Sequence, residues 1–138
     1  MSEALLVDAG PLVACLARRD QYHLWAAAQA EAGTAPMLTT EPVLTEAAHL
    51  LRRHRLDPVI LVQWIRRGAI HVGLQLEVEA GRIEELMRAY ADQPMSLADA
   101  SLVRLSELNP QARIFTTDSD FVIYRRFGGQ SIPLLIPG

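Results

Sequence analysis

"ALLVDAGPLVACLARR", residues 4–19, is the stretch whose reading decides the fold. Its apolar opening has the length of a short buried strand and ends in Asp8; Gly10 and Pro11 then break the run, and "LVACLARR" resumes with helical spacing. Strand, turn and helix follow one another within these residues. The same unit recurs along the chain. "APMLTT" (35–40), "AIHVG" (69–73) and "ARIFTT" (112–117) are short apolar runs, and "SIPLLIP" (131–137) is a last extended piece whose prolines favour a sheet edge. Between them lie helical patterns. Asp20 is expected to cap "YHLWAAAQAEAG", which Gly33 closes, and Thr39 or Thr40 to cap a helix running from Glu41 and Pro42 to about Arg55. Asp57 and Pro58 open another through Arg67, "QLEVEAGRIEELMRAYA" is mostly helix, and Ser96 opens "LADASLVRLSELN". Strands alternating with longer helices predict an α/β fold: a three-layer α/β/α sandwich around a short, mostly parallel sheet.

Length and composition agree with one domain over residues 1–138, large enough to bury a core, since half of the residues are hydrophobic. No apolar run is long enough to span a bilayer, and the acidic start lacks the basic region of a signal peptide, so no membrane association and a cytoplasmic location are expected. Cys15 is the single cysteine, which excludes an internal disulfide and a thiolate cluster. All 13 basic residues are arginine, so no lysine is present to act as a general base or Schiff-base amine. The net charge of −3 does not mark a nucleic-acid binder by bulk charge. Arginine is nevertheless clustered, most densely at Arg52, Arg53 and Arg55. The same clusters also complement the negative ends of helices.

The carboxylates carry the chemistry. Asp8 ends the first strand and Asp118 follows the fourth, so two parallel neighbouring strands would bring both to the same sheet edge, where open α/β sheets place their functional residues. In "TEPVLTEAAHLL" the stripe Val43, Ala47, Leu50, Leu51 faces the core and Glu46 lies on its flank. In "MSLADASLVRL" the stripe is Ala98, Leu102, Leu105, with Asp99 beside it in the first turn. Each acid has an ordinary alternative: Asp8 and Asp118 as helix caps, Ser96 with Asp99 as a capping box, Glu46 as a surface glutamate. Together, four carboxylates in one cleft repel and raise one another's pKa unless a cation neutralises them. An all-oxygen donor set selects Mg²⁺ or Mn²⁺. Zinc is disfavoured, because His49 and His54 are five apart and share no helix face, while His23 and His71 stand alone. Such a site suits phosphodiester hydrolysis by metal-activated water, with Glu46 or Asp118 orienting or deprotonating that water.

"LLVDAGPLVA", "TTEPVLTEAAHLL", "MSLADASLV" and "IFTTDSDF" occur in the order and spacing of the PIN-domain ribonucleases, and the chain resembles in particular the VapC-like toxins of type II toxin–antitoxin modules. The resemblance implies that Asp8, Glu46, Asp99 and Asp118 are the catalytic and metal-binding acids, with Asp8 and Asp99 the direct ligands. It further implies Mg²⁺ or Mn²⁺ dependence, cleavage of single-stranded regions of structured RNA, homodimers, and silencing by an antitoxin. Asp120 matches a further acid of many members, and Thr117 the hydroxyl residue before the fourth acid. Two positions depart from the pattern: Ala9 and Gly10 stand where many relatives carry a hydroxyl, and Ser96 where many carry an acid. Arg52, Arg53 and Arg55, beyond Glu46 on the same helix, are the candidate RNA contacts. The competing readings are a PIN nuclease outside a toxin module, a receiver-like phosphoacceptor domain, for which the absent lysine is adverse, and a non-catalytic protein-binding domain whose acids are caps.

Overall fold

Five three- or two-residue strands, β1 (Leu5–Val7), β2 (Met37–Thr39), β3 (Ile70–Val72), β4 (Arg113–Phe115) and, at the edge, β7 (Leu134–Leu135), form one wholly parallel sheet in the computed structural model, which describes residues 4–138. The first three residues of the domain read over 1–138 lie outside the described residues. Strand order is β3-β2-β1-β4-β7. The connections are α1 (Ala9–Leu16) and α2 (His23–Ala32), then α3 (Glu41–Arg53) and α4 (Val59–Arg66), then α5 (Leu76–Ala89) and α6 (Leu97–Leu108). After β4 come the short α7 (Asp120–Ile123) and an antiparallel hairpin of β5 (Arg125–Arg126) and β6 (Gln130–Ser131). The α/β/α layering expected from the sequence is the observed one.

Parallel strands covered on both faces bury alternate residues on opposite sides. Leu6 pairs in register with Leu38 and Ile114; Leu38 meets Leu105 of α6 beside Gly73. Val7 and Phe115, also in register, face the other layer, where Trp25 of α2 packs edge-on to Phe115. There α1, α2 and α4 enclose an apolar cavity of about 270 Å³ that Cys15 and Trp64 help to line. Burial raises the Cys15 thiol to about 11, so it is a packing group and an unreactive one. His23 bonds the Ala14 carbonyl and so ties α2 to α1.

Several local expectations shift. Helix α1 begins at Ala9, ahead of Gly10 and Pro11; a first-turn N–H has no intrahelical partner, so proline there removes nothing. Asp20 does not cap α2: its carboxylate accepts from the Tyr22 amide in the preceding turn, and Gly33 closes the helix in extended backbone. Helix α3 stops at Arg53, because Arg55 turns into the left-handed region at φ 59°. The stretch after Asp118 holds one helical turn and then becomes strand β5, since Phe127 (φ 51°) and Gly128 (φ 79°) fold the chain back as a hairpin.

The chain steps outward from β1 to β2 to β3, then returns past them to place β4 on the opposite side of β1. Strand order therefore reverses between β1 and β4. Beyond their carboxyl ends lies the crevice where folds of this kind bind ligands.

Candidate functional site

Asp8 sits at that reversal. Its amide donates to the Phe115 carbonyl of β4, continuing the ladder one residue past the strand. Its side chain is almost fully buried: Oδ1 accepts from the Ala9 amide at 2.8 Å and Oδ2 from the Thr116 hydroxyl at 2.7 Å. Thr116 Oγ1 in turn accepts from the Asp118 amide at 2.9 Å, so a single buried hydroxyl joins the acidic ends of β1 and β4. Asp118 folds back to accept from the Asp120 amide. Gly10 leaves room for the Thr117 hydroxyl, which would have to shift if position 10 carried a Cβ.

The two helical acids arrive from α3 and α6. Ser96 caps α6 through the Asp99 amide, and the Asp99 carboxylate reaches back toward the Ser96 amide in a reciprocal capping box. Asp99 Oδ2 also accepts from the buried Tyr124 hydroxyl at 2.9 Å. The Thr40 hydroxyl, which caps α3, bonds the Ser101 hydroxyl of α6 at 2.7 Å in the interior, and that bond pins the starts of the two helices together. Glu46, in the second turn of α3, is thereby held near Asp99, on the flank of the stripe that Val43, Ala47 and Leu51 bury.

Electrostatics show that the four acids share one field. Burial pushes Asp8 up to about 7 against the pull of its two hydrogen bonds, and the Asp99 and Glu46 carboxylates add to the rise. Asp99 is raised by burial and by Asp118, which outweigh the donors from Tyr124 and Ser96. The Glu46 side chain is largely exposed, yet the cleft wall removes enough water to raise it, and Asp99 and Asp118 raise it further. Asp120 is raised by partial burial and by Asp118. Among the described residues no ion pair includes Asp8, Glu46, Asp99 or Asp118; those present involve Arg82, Arg88 and Arg104, on α5 and α6.

The cage expected from the sequence is not closed in advance: among the described residues, no three His, Cys, Asp or Glu side chains form a ready set of ligands for an ion. The physical reason is local. Asp8, Asp99 and Asp118 each accept from a capping or turn amide, and carboxylates without a cation between them repel. As donors they still suit a hard divalent ion, which is commonly held through one or two carboxylates with waters completing its shell. Ser96 serves as a helix cap, the role its hydroxyl permits in place of an acid.

Arg52, Arg53 and Arg55 are exposed at the far end of α3. Helix α3 runs back from the carboxyl edge of the sheet, which sets Arg53 about 10 Å along the axis from Glu46. Sequence reasoning missed Thr116 and Tyr124. Thr116 and its neighbour Thr117 each carry a hydroxyl, and only the strand's alternation tells which one points inward. Nothing in the sequence signals that Tyr124 reaches a carboxylate 25 positions earlier. Comparison of the chain with models of known families and with curated proteins finds no match.

Proposed function

We propose that this protein is a Mg²⁺- or Mn²⁺-dependent endoribonuclease of the PIN-domain type, acting as the cytoplasmic toxin of a type II toxin–antitoxin pair. One observation carries the reading: four carboxylates from β1, α3, α6 and the end of β4 lie within one another's field at the strand-order reversal, with no cation among the described residues paired to them. Asp8 and Asp99 would hold the ion, Asp8 with both of its oxygens already oriented by hydrogen bonds and Asp99 with its Oδ2 so oriented. A divalent ion bound there acidifies water and neutralises charge developing on a phosphodiester. Glu46, exposed and with a raised pKa, takes the proton from the attacking water at its carboxylate. Asp118, anchored through Thr116 to Asp8, keeps the edge negative where the ion must sit. The motifs "LLVDAGPLVA", "TTEPVLTEAAHLL", "MSLADASLV" and "IFTTDSDF" support RNA as substrate, an antitoxin as partner and a homodimer as the assembly.

The test is cleavage of a structured RNA with exposed single-stranded loops, in Mg²⁺, in Mn²⁺ and in chelator, by the chain and by Asp8→Asn and Asp99→Asn. Cleavage in either metal that disappears in chelator and in both variants supports the reading. Equal cleavage by both variants rejects the site. Growth arrest on expression, relieved by the product of an adjacent small reading frame, tests the toxin role.

A second reading has specific support. Asp8, Asp99 and Asp118 all serve as caps or turn acceptors, as they would in a non-catalytic protein-binding domain. Caps alone do not require the acids to converge. In that case the chain would cleave nothing, and the Asn variants, whose amide oxygens still accept from the same backbone amides, would keep most of their stability.

A further inference from the structure

We infer that Tyr124 is a positioning residue that clamps Asp99 from behind, fixing one carboxylate oxygen so that the other is presented to a divalent ion; this rests on the metal-site reading above. Tyr124 is fully buried, and its ring is held by two edge contacts, with Phe121 and Tyr90, each with centroids 5.3 Å apart. Tyr90 is itself fixed, because its hydroxyl accepts from the Arg125 amide, the residue that follows Tyr124. The ring therefore has little freedom, and its hydroxyl meets Asp99 Oδ2 at 2.9 Å. Oδ2 also faces the Ser96 amide at 3.4 Å. Both donors thus act on the same oxygen. The Tyr124 hydroxyl and the Ser96 amide both end on Oδ2, and no fully buried side-chain oxygen among the described residues lacks a partner, so Oδ1 is either the oxygen nearer the Ser96 hydroxyl or in part exposed to solvent.

A phenylalanine would fill the aromatic cluster equally well. The hydroxyl adds a polar group to a buried site, and its bond goes to an acid that already takes part in the α6 capping box. The position of Tyr124 in the chain is also informative. It ends the turn α7 that begins two residues after Asp118, and its amide bonds the Asp120 carbonyl, so the clamp couples the acid of α6 to the acid loop after β4.

The experiment is Mn²⁺ binding, read from the electron paramagnetic resonance signal of the free ion, on the full chain and on Tyr124→Phe, Tyr90→Phe and Asp99→Asn, with thermal unfolding in parallel. We expect Tyr124→Phe to weaken Mn²⁺ binding about 10-fold, the scale on which outer partners tune metal ligands. Tyr90→Phe removes a hydroxyl that helps to hold the ring but touches no acid, so it should weaken binding less than Tyr124→Phe does. A Tyr124→Phe affinity within twofold of the unaltered chain overturns the assignment, provided that Asp99→Asn has lost binding. No binding by the unaltered chain overturns the metal-site reading and this assignment with it. Should Tyr124→Phe not fold, fluorotyrosine labelling of the intact chain answers instead: a fluorine resonance of Tyr124 that moves with a saturating diamagnetic ion, Mg²⁺, while that of Tyr22 stays still, supports the clamp. A still Tyr124 resonance at an occupied site rejects it.

Discussion

Glu107 and Asp8 are each only 6% exposed, yet the protein treats the two carboxylates in opposite ways. Glu107 receives Arg82 through two bonds, at 2.9 and 2.7 Å, Arg104 at 3.1 Å and the Phe127 amide at 2.7 Å. Those partners outweigh its desolvation and hold its pKa below the usual range. Asp8 has one amide and one hydroxyl, no cation, and other carboxylates for company, and its pKa rises to about 7. The first arrangement welds α5, α6 and the β5–β6 hairpin together. The second leaves negative charge unanswered at the place where the strand order reverses. A fold able to compensate one buried acid this completely, and leaving another bare, sets the bare one apart as a place for a ligand.

The largest effect that would break the contrast is on cleavage. Asp99→Asn or Asp8→Asn should lower divalent-dependent RNA cleavage more than about 100-fold, beyond what loss of an outer partner costs, while Glu107→Gln should leave the rate of the folded protein unchanged. Rates on a labelled RNA, at fixed ion concentration, decide it.

Next in size is pH dependence, where the two acids pull in opposite directions. The folded pKa of Asp8 lies above its unfolded value, so its contribution to stability is full below about pH 4 and lost as pH rises through 7, on the order of 4 kcal/mol in all. Glu107, with a lowered pKa, stabilises above its unfolded value and loses that contribution on acidification. Denaturant unfolding in chelator from pH 2 to 8 should show Asp8→Asn flattening the decline on the neutral side. Glu107→Gln should flatten the decline on the acidic side.

Glu107→Ala should destabilise by roughly 2–3 kcal/mol, because Arg82 and Arg104 are left partly buried and short of a partner. Arg88→Ala, whose partner Glu84 is exposed, should change stability by less than about 0.5 kcal/mol. The smallest effects belong to Arg52, Arg53 and Arg55. If they touch RNA phosphates, each alanine should lower the slope of log affinity against log salt by about 1, and an unchanged slope removes them from the RNA path.

The sheet was legible because each strand is an apolar run bounded by a residue with a definite local job: Thr40 and Ser96 as caps, Pro42 just inside α3. The convergence of Asp8 and Asp118 followed from parallel neighbours, which the pairing of Val7 with Phe115 supplies. The rest depended on contacts that sequence spacing does not encode. Pro11 reads as a breaker but is tolerated in a first helical turn. The β5–β6 hairpin overrode a helical pattern, although Gly128 and Gly129 were a turn signal in plain view. Thr116 bridging two acids, Tyr124 meeting Asp99 and the Thr40–Ser101 bond all join residues brought together only by the folded layers.

The most direct test of the uncompensated cleft is the Tm of the chain at pH 8 as Mn²⁺ is added, since a ligand that binds only the folded state stabilises in proportion to the logarithm of its concentration. The account predicts a steady rise for the unaltered chain and for Arg88→Ala, and none for Asp8→Asn or Asp99→Asn. A flat response in the unaltered chain, or an equal rise in the two acid variants, would contradict it.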